Sequence, residues 1–323
     1  METLQTQETV TVSLSPQQMR SAFLGVSPFA STDTCRHIIC GVYLHLQEDL
    51  LELVATDGRT LAAFELPLGY KVEKEIHAII PAAAVKLLLS PKGLLSKKAV
   101  KDAKGLLKVT SGETYAAGGG LLSLSLDDQT FSIRTVEGNY PKWRQVVPKH
   151  DQTLNLGGWR KLKGYSTRQA EVLDAAGAVA LESARITLQG LATCDADRME
   201  KESQVTKAIK RKLRELKGTE RQPVCFTQLG TLTPEFAPPT VTVSGNALDP
   251  VFTVERAKHA EPYGFNSLYL DRIAEACPYL EEATGSTFGF SGMKDKKSPL
   301  TLTVTSYGNL ARASVVIMPC RVS

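Results

Sequence analysis

No run in this sequence approaches the ~20 consecutive apolar residues that span a bilayer. The first ten residues, Met1 to Val10, are polar and carry no apolar stretch of the secretory kind. These two lacks predict an intracellular, cytoplasmic protein. Cysteine is sparse: Cys35, Cys40, Cys194, Cys225, Cys277 and Cys320 form no CxxC pair, and none of the five His stands beside them at zinc-ligand spacing. That argues against a disulfide scaffold and a structural zinc, and predicts reduced, mostly buried small hydrophobes. A nucleophile elbow, a P-loop and an HExxH pair are also missing. No enzyme chemistry, metal or cofactor is therefore expected. Gly118-Gly119-Gly120 is followed by no Lys-Ser/Thr pair, so it reads as a turn between strands.

What is present is ordinary globular material. The chain has 323 residues, 42% hydrophobic and 22% charged. Length suggests about two domains, and the apolar content excludes a disordered chain. The net charge of +4 is mildly basic and permits an anionic partner. How the charge is distributed matters more than its sum.

Along the chain, Val10, Val12 and Leu14 alternate as a strand, and Ser15-Pro16 opens a helix to Val26 with Ser15 as its cap. Residues 38–45, 51–55 and 60–65 read as an antiparallel meander with a tight turn at Asp57-Gly58. A helix follows from Pro81 to Leu89, then strands over 106–110, 121–126 and 130–136. The polar stretch Pro148 to Gln152 is a candidate linker. After it the pattern restarts: a strand at 154–156, a helix entered at 157–164, strands at 185–191, 240–244 and 251–255, a helix at 267–276, and strands at 286–291, 300–306 and 311–318. Each half thus runs strand, helix, strands, helix, strands, a weak structural repeat that predicts an α+β architecture.

Two basic segments interrupt this pattern. Lys92, Lys97, Lys98, Lys101, Lys104 and Lys108 share their stretch with one acid, Asp102, and Lys97 to Lys104 read as a loop tip. Arg198 to Arg221 holds nine Lys or Arg and four Glu (200, 202, 215 and 220). There Val205, Ile209, Leu213 and Leu216 recur at helical spacing, which predicts an amphipathic basic helix. Its Lys207, Lys210, Arg211, Lys212, Arg214 and Lys217 suit either DNA contact or an exposed face that docks a partner, and the interspersed Glu suits a salt-bridged surface.

Four peptides occur in a telling order. They are Ala55-Thr56-Asp57-Gly58-Arg59-Thr60-Leu61-Ala62, Val136-Glu137-Gly138-Asn139-Tyr140-Pro141-Lys142-Trp143-Arg144-Gln145-Val146-Val147-Pro148, Gly264-Phe265-Asn266-Ser267-Leu268-Tyr269-Leu270, and Val316-Ile317-Met318-Pro319-Cys320-Arg321. Together they resemble the bacterial DNA polymerase III beta subunit, the sliding clamp, whose peptides read ATDGHRLA, dGxFPDYRRVLP, FNxxYL and MPMRL.

The resemblance implies a ring-forming DNA-clamp fold, each domain two helices packed on antiparallel sheet. Bacterial members carry three domains per chain and dimerise into a six-domain ring. Here the first peptide lies near residue 55, so the chain resembles the middle domain (1–148) and the last domain (149–323) without the first, with a basic helical insertion near 196–221. Six domains then require three copies, a homotrimer. The implied function is that of a processivity factor that encircles duplex DNA without sequence preference and tethers polymerase and clamp loader through short linear motifs. The implied location is cytoplasmic, with the nucleoid. A chain of this shape fits a phage, a mobile element or an unusual bacterium alike.

Carried over by motif, the partner-peptide pocket comprises Ile39, Thr56, Gly58, Arg59, Thr60, Leu61, Pro148, Val316, Met318, Pro319, Cys320 and Arg321. Apolar side chains and an adaptable Met suit an extended peptide with a few anchors. Leu61, Val316 and Met318 equally suit ordinary core packing. Departures are Arg59-Thr60 for the family's His-Arg and Cys320 for its second Met. The helices that resemble DNA-lining ones, 16–26, 81–89, 157–171 and 267–276, carry Arg20, Lys86, Arg160, Lys161, Lys163, Arg168 and Arg272. Those cations are expected to face phosphates, while solvated surface charge is the plainer account of each alone. Asp57 is assigned a turn role. The rival class is a clamp-like binding protein or decoy that occupies partner motifs without encircling DNA.

Overall fold

The computed structural model describes residues 11–73, 75–114, 120–148, 153–156, 158–162, 165–191, 195–218, 223–226, 240–255, 263–291, 299–304 and 311–319. Its first elements are β1 (Thr11–Leu14), α1 (Pro16–Val26), β2 (Gly41–Gln47), β3 (Leu50–Thr56), β4 (Thr60–Pro67), β5 (Ile76–Pro81), α2 (Ala82–Leu89) and α3 (Lys97–Asp102). Then come β6 (Leu107–Thr114), β7 (Gly120–Leu126), β8 (Gln129–Arg134), β9 (Thr153–Leu156), α4 (Tyr165–Leu191), α5 (Asp195–Gly218) and β10 (Pro223–Phe226). The rest are β11 (Thr240–Asn246), β12 (Asp249–Glu255), β13 (Tyr263–Asn266), α6 (Ser267–Thr284), β14 (Phe288–Ser291), β15 (Leu300–Val304) and β16 (Arg312–Ile317).

The chain forms two compact units, Met1–Arg160 with Arg272–Met318, and Lys161–Asp271 with Pro319–Ser323. The first is built on an eight-stranded sheet in the order β5-β2-β3-β4-β16-β15-β14-β9 and a four-stranded sheet in the order β1-β6-β7-β8. All described strand pairs are antiparallel. Strand β3 is buried along almost its whole length, with Leu51, Leu53 and Ala55 alternating against Glu52, Val54 and Thr56. One set must therefore face each side. Helix α1 packs on β3 and β4. It starts where Ser15 Oγ accepts the Gln18 N–H and Pro16 takes the first helical position, and it buries Met19, Ala22, Phe23 and Val26. At Gly25 an added Cβ would sit 2.5 Å from the Leu280 side chain, so glycine there lets α6 approach α1 closely.

The second unit holds two long helices and two two-stranded sheets, β10-β13 and β11-β12. Ala180, Ala184, Ile209 and Leu213 form its core with Leu181, Val205, Val243, Leu248 and Phe252. The expected strand over 185–191 is instead the last part of α4. Ile186 and Leu188 alternate in a short window, but Ala180, Ala184 and Leu188 recur every fourth residue and are the buried ones. The helix entered at 157–164 is a 3₁₀ turn, Gly158–Leu162, followed by α4. The loop tip expected for Lys97, Lys98 and Lys101 is helix α3, because Ser96 caps it and Val100 buries inward. Helix α6 runs past residue 276 through Pro278 to Thr284. Among the cysteines, Cys277 is buried but Cys35 is exposed. Of the candidate linker only Pro148 is described, and Gly118 and Gly119 lie outside the described residues.

Gly41 faces Pro81 in the β2–β5 pair, and a Cβ there would lie 2.3 Å from the Ile80 carbonyl oxygen. Backbone cannot yield as a side-chain tip can. Gly41→Ala is expected to destabilise the chain by about 2 kcal/mol, read as a lower midpoint in urea unfolding.

Candidate functional site: a turn, a seam and a connector

The site begins at the β3–β4 turn. Asp57 Oδ1 accepts the N–H groups of Arg59 at 2.9 Å and Thr60 at 2.7 Å, and the Thr60 hydroxyl at 3.0 Å. Gly58 sits at φ +85°, where a side chain would be strained. Thr56 Oγ1 donates to the Thr60 carbonyl and accepts the Gly58 N–H. This is the turn role expected of Asp57. Its other oxygen takes Arg272 Nη1 at 2.7 Å, and the same nitrogen lies 3.0 Å from Thr60 Oγ1. Burial alone would raise the Asp57 pKa. The Arg272 bond and the backbone N–H groups outweigh it and hold the carboxyl below its ordinary value. Arg272, expected to face phosphates, is thus turned onto the turn's carboxylate, with its guanidinium 5.8 Å from the Phe29 ring centroid.

From that turn β4 pairs with β16, which sets Thr60 opposite Ile317 and Leu61 opposite Val316. The Met318 N–H continues the ladder onto the Arg59 carbonyl at 2.9 Å. The first and last peptides of the family pattern therefore meet along one seam. Leu61 and Val316 are both buried, and with Val54, Ala63 and Trp143 they make one apolar cluster, flanked by Tyr43, Tyr140 and Val147. Core packing describes Leu61 and Val316 better than an open groove wall does. Met318 is 43% exposed and Val146 is 50% exposed. These two, with half-buried Pro148 and Val147, are the apolar surface left beside the cluster along the chain.

Ile39 is buried and its carbonyl accepts the Ser31 N–H. Pro319 is half-buried, and Cys320 and Arg321 lie outside the described residues. Sequence reasoning missed Val146, Trp143 and Arg144. The signal was available: two apolar residues and an Arg within a Pro-flanked stretch that already carried the resemblance.

The sheet face beside the cluster is charged. His45, Glu52, Glu65 and Arg312 stand in one cross-strand row on β2, β3, β4 and β16, with His77 of β5 opposite His45. His45 Nδ1 is 2.8 Å from Glu52 and Nε2 is 2.5 Å from Glu75. The Glu52 hydrogen bond raises the imidazole pKa above its ordinary value; burial opposes, and Glu75 adds to the rise. Arg144 reaches Glu52, whose side chain is 1% exposed. Burial and the Glu52 charge push the Glu65 carboxyl up. Burial, with the Glu52 and Glu75 charges, pushes the Tyr43 phenol to about 12.

The expected DNA-facing cations divide. Arg20 donates to the Leu95 carbonyl. Arg160 pairs with Glu281 at 2.7 Å and stacks over Trp159. Lys86 is exposed on α2, Lys163 lies outside the described residues, and the side chains of Lys161, Arg168 and Lys217 are likewise not described. On α5, Lys207, Lys210, Arg211 and Arg214 are all exposed. Their spacing of three, four and seven residues makes one stripe, opposite buried Ile209 and Leu213. Arg211 lies 3.8 Å from Glu215. Lys212 turns to Asp249 and the Pro250 carbonyl. Among the described residues no cluster of three His, Cys, Asp or Glu could hold a metal ion. No described helix is long and apolar enough to cross a membrane.

Residues 13–142 match the family model for the DNA polymerase III beta subunit, central domain. The beta sliding clamp of Treponema pallidum is 29% identical over 122 residues, 38% of this chain and 29% of that protein. That of Pseudomonas putida is 22% identical over 162 residues, 50% of this chain and 40% of that protein. The matches thus span less than half the length of these relatives. Among solved structures, the DNA polymerase sliding clamp of Pseudomonas aeruginosa superposes with a TM-score of 0.55 at 15% identity, covering 97% of this chain and 66% of that one. The DNA polymerase III beta subunit of Thermotoga maritima gives 0.54 at 16%, with the same coverage. These likenesses show the DNA-clamp fold.

Removing the Asp57 charge tests the turn. A carboxyl held below its ordinary pKa stabilises the fold above that value and loses the effect as pH falls through its folded pKa. Asp57→Asn is expected to cost about 1–3 kcal/mol near neutral pH, with the gap from wild type closing below about pH 4, measured by urea unfolding across pH.

Proposed function

We propose that this chain belongs to the DNA polymerase III beta-subunit family and is a sliding clamp: a non-enzymatic processivity factor that surrounds duplex DNA and holds replication proteins on it. Residues 1–148 are the counterpart of the family's middle domain and 149–323 of its last, with the α4–α5 pair enlarging the latter. For this 323-residue polypeptide a six-domain ring takes three copies, and a head-to-tail contact closes only if its rotation divides the circle. Both described edges of the eight-stranded sheet, β5 and β9, end it without a further strand pair among the described residues, apart from a single bridge from Ile79 to Val136. Such edges suit pairing between copies.

The observation that supports the reading most is the seam that sets Leu61 against Val316 and Met318 on Arg59. It brings the first and last peptides together and leaves Met318 exposed at the seam's end, with exposed Val146 three residues after the clustered Trp143. A partner peptide would lay one or two apolar anchors there, where Met318 can reshape to fit. The buried Leu61–Val316–Trp143 cluster would then be the floor beneath the anchors. Retention on DNA comes from topology, and the phosphate contacts are non-specific and electrostatic. The Lys207–Lys210–Arg211–Arg214 stripe and Lys86 are the cations best placed for them, being exposed. Action on DNA within the cell accords with the charge of +4.

A second reading, a clamp-like protein that occupies partner motifs without encircling DNA, draws on the engagement of Arg20, Arg160 and Arg272 by protein partners. Loading onto nicked circular DNA separates the two. A ring is trapped on the circle and runs off once the DNA is linearised, whereas a decoy shows equal binding to both forms. Light scattering should give three times the chain mass of 35.1 kDa, and a monomer at micromolar concentration removes the ring.

Two substitution sets probe the surfaces. Lys207, Lys210, Arg211 and Arg214 all changed to Ala should weaken DNA association and flatten its log–log salt slope by roughly 0.9 per lost phosphate contact. Met318→Ala with Val146→Ser should weaken a labelled peptide with Leu and Phe anchors by about tenfold, while unfolding stays near wild type because both side chains are exposed.

A further inference from the structure

The connector Val136–Pro148 lies against the sheet face that carries the cluster, held by contacts of several kinds. The Val136 N–H bonds the Ile79 carbonyl at 2.9 Å. The Tyr140 ring stacks on Tyr43 at 4.7 Å. Trp143 enters the apolar cluster, and Arg144 binds Glu52. Beside Gly138, Tyr43, His77, Ile79, Val136, Asn139 and Tyr140 are among the residues around a cavity of about 180 Å³. Trp143 and Arg144 are adjacent, so the ion pair and the apolar contact are set together.

We infer that Arg144 is a positioning residue for the peptide groove: by binding Glu52 it seats Trp143 and Val147 against Leu61 and Val316, and His45 tunes that seating by sharing the same carboxylate. This rests on the groove reading above. Arg144 takes one Glu52 oxygen and His45 the other. The two side chains share one carboxylate, so when both are charged they repel each other. Protonated His45 satisfies Glu52 and repels the guanidinium; neutral His45 leaves Arg144 as the cation on that carboxylate.

The other groups around His45 are Tyr43 on its own strand, Glu65 across from Glu52, Glu75 and His77 at β5, Tyr140 on the connector, and Arg312 beyond Glu65. Glu65, as it ionises, adds negative charge beside Glu52 and so works in the same direction. The connector therefore seats harder as pH rises through the His45 titration, which the Glu52 and Glu75 bonds hold above the ordinary imidazole value against the opposing effect of burial.

The test follows hydrogen exchange of the Trp143–Val146 amides, corrected for intrinsic rate, and the affinity of a rhodamine-labelled peptide with Leu and Phe anchors. Both are measured on the full chain from about pH 6 to about pH 9. In wild type, exchange should slow and affinity rise by about threefold across that range. Arg144→Gln should speed exchange about tenfold, weaken the peptide about fivefold and lose most of the pH effect, with Arg144→Lys recovering part. Because half of the Arg144 side chain is in solvent, the variant is expected to fold. His45→Gln should bind peptide with a flat pH profile. Arg144→Gln binding as wild type at every pH overturns the positioning role and leaves the groove standing. A pH profile unchanged in His45→Gln overturns the tuning. Wild type that binds no anchored peptide at any pH overturns the groove and this inference together.

Discussion

The antiparallel pairing of Thr60–Pro67 with Arg312–Ile317 is the constraint on which the first unit depends. Without it the meander of β2, β3 and β4 would end in an open edge, and β14, β15 and β9 would have no larger sheet to join. With it, eight strands share one surface, and residues some 250 positions apart in the sequence become neighbours. The Asp57 turn serves that pairing. It fixes the start of β4, and Arg272 ties the turn to α6, so the strand's register and the helix beneath it are set by one carboxylate.

The same sheet face carries two kinds of chemistry side by side. One part is apolar and closes over Trp143. The other is a row of ionisable groups whose buried member, Glu52, is matched by His45 and Arg144. A buried carboxylate left without partners would destabilise the fold. Here two groups from different elements bind it, His45 of β2 and Arg144 of the connector. Charge on this sheet face therefore helps to fasten the connector beside the apolar cluster that Trp143 enters.

Much of the fold was legible from the sequence because its strands alternate or run apolar, as in Leu51–Thr56, and its helices start at recognisable signals, the Ser15 cap and Pro81. The errors came from windows too short to separate the two periods. Ile186 and Leu188 fit a strand until Ala180 and Ala184 are included, and Lys97–Asp102 hid one buried Val among charges. The site was legible only in part. Leu61, Val316 and Met318 were reached through motif order. The Arg144–Glu52 and Arg272–Asp57 pairs join residues 92 and 215 positions apart, and no local pattern announces such partners.

The place of β16 in the sheet bears on how the chain is made. Strand β4 leaves the ribosome just after β3 but long before β16, its partner on the other side, and β16 sits in the interior of the sheet order with β4 on one side and β15 on the other. Until some 250 further residues have been synthesised, β4 presents an unpaired edge lined by Leu61, Ala63 and Phe64. Such an edge invites mispairing. Completion of this sheet is thus a late, long-range event in the synthesis of the chain.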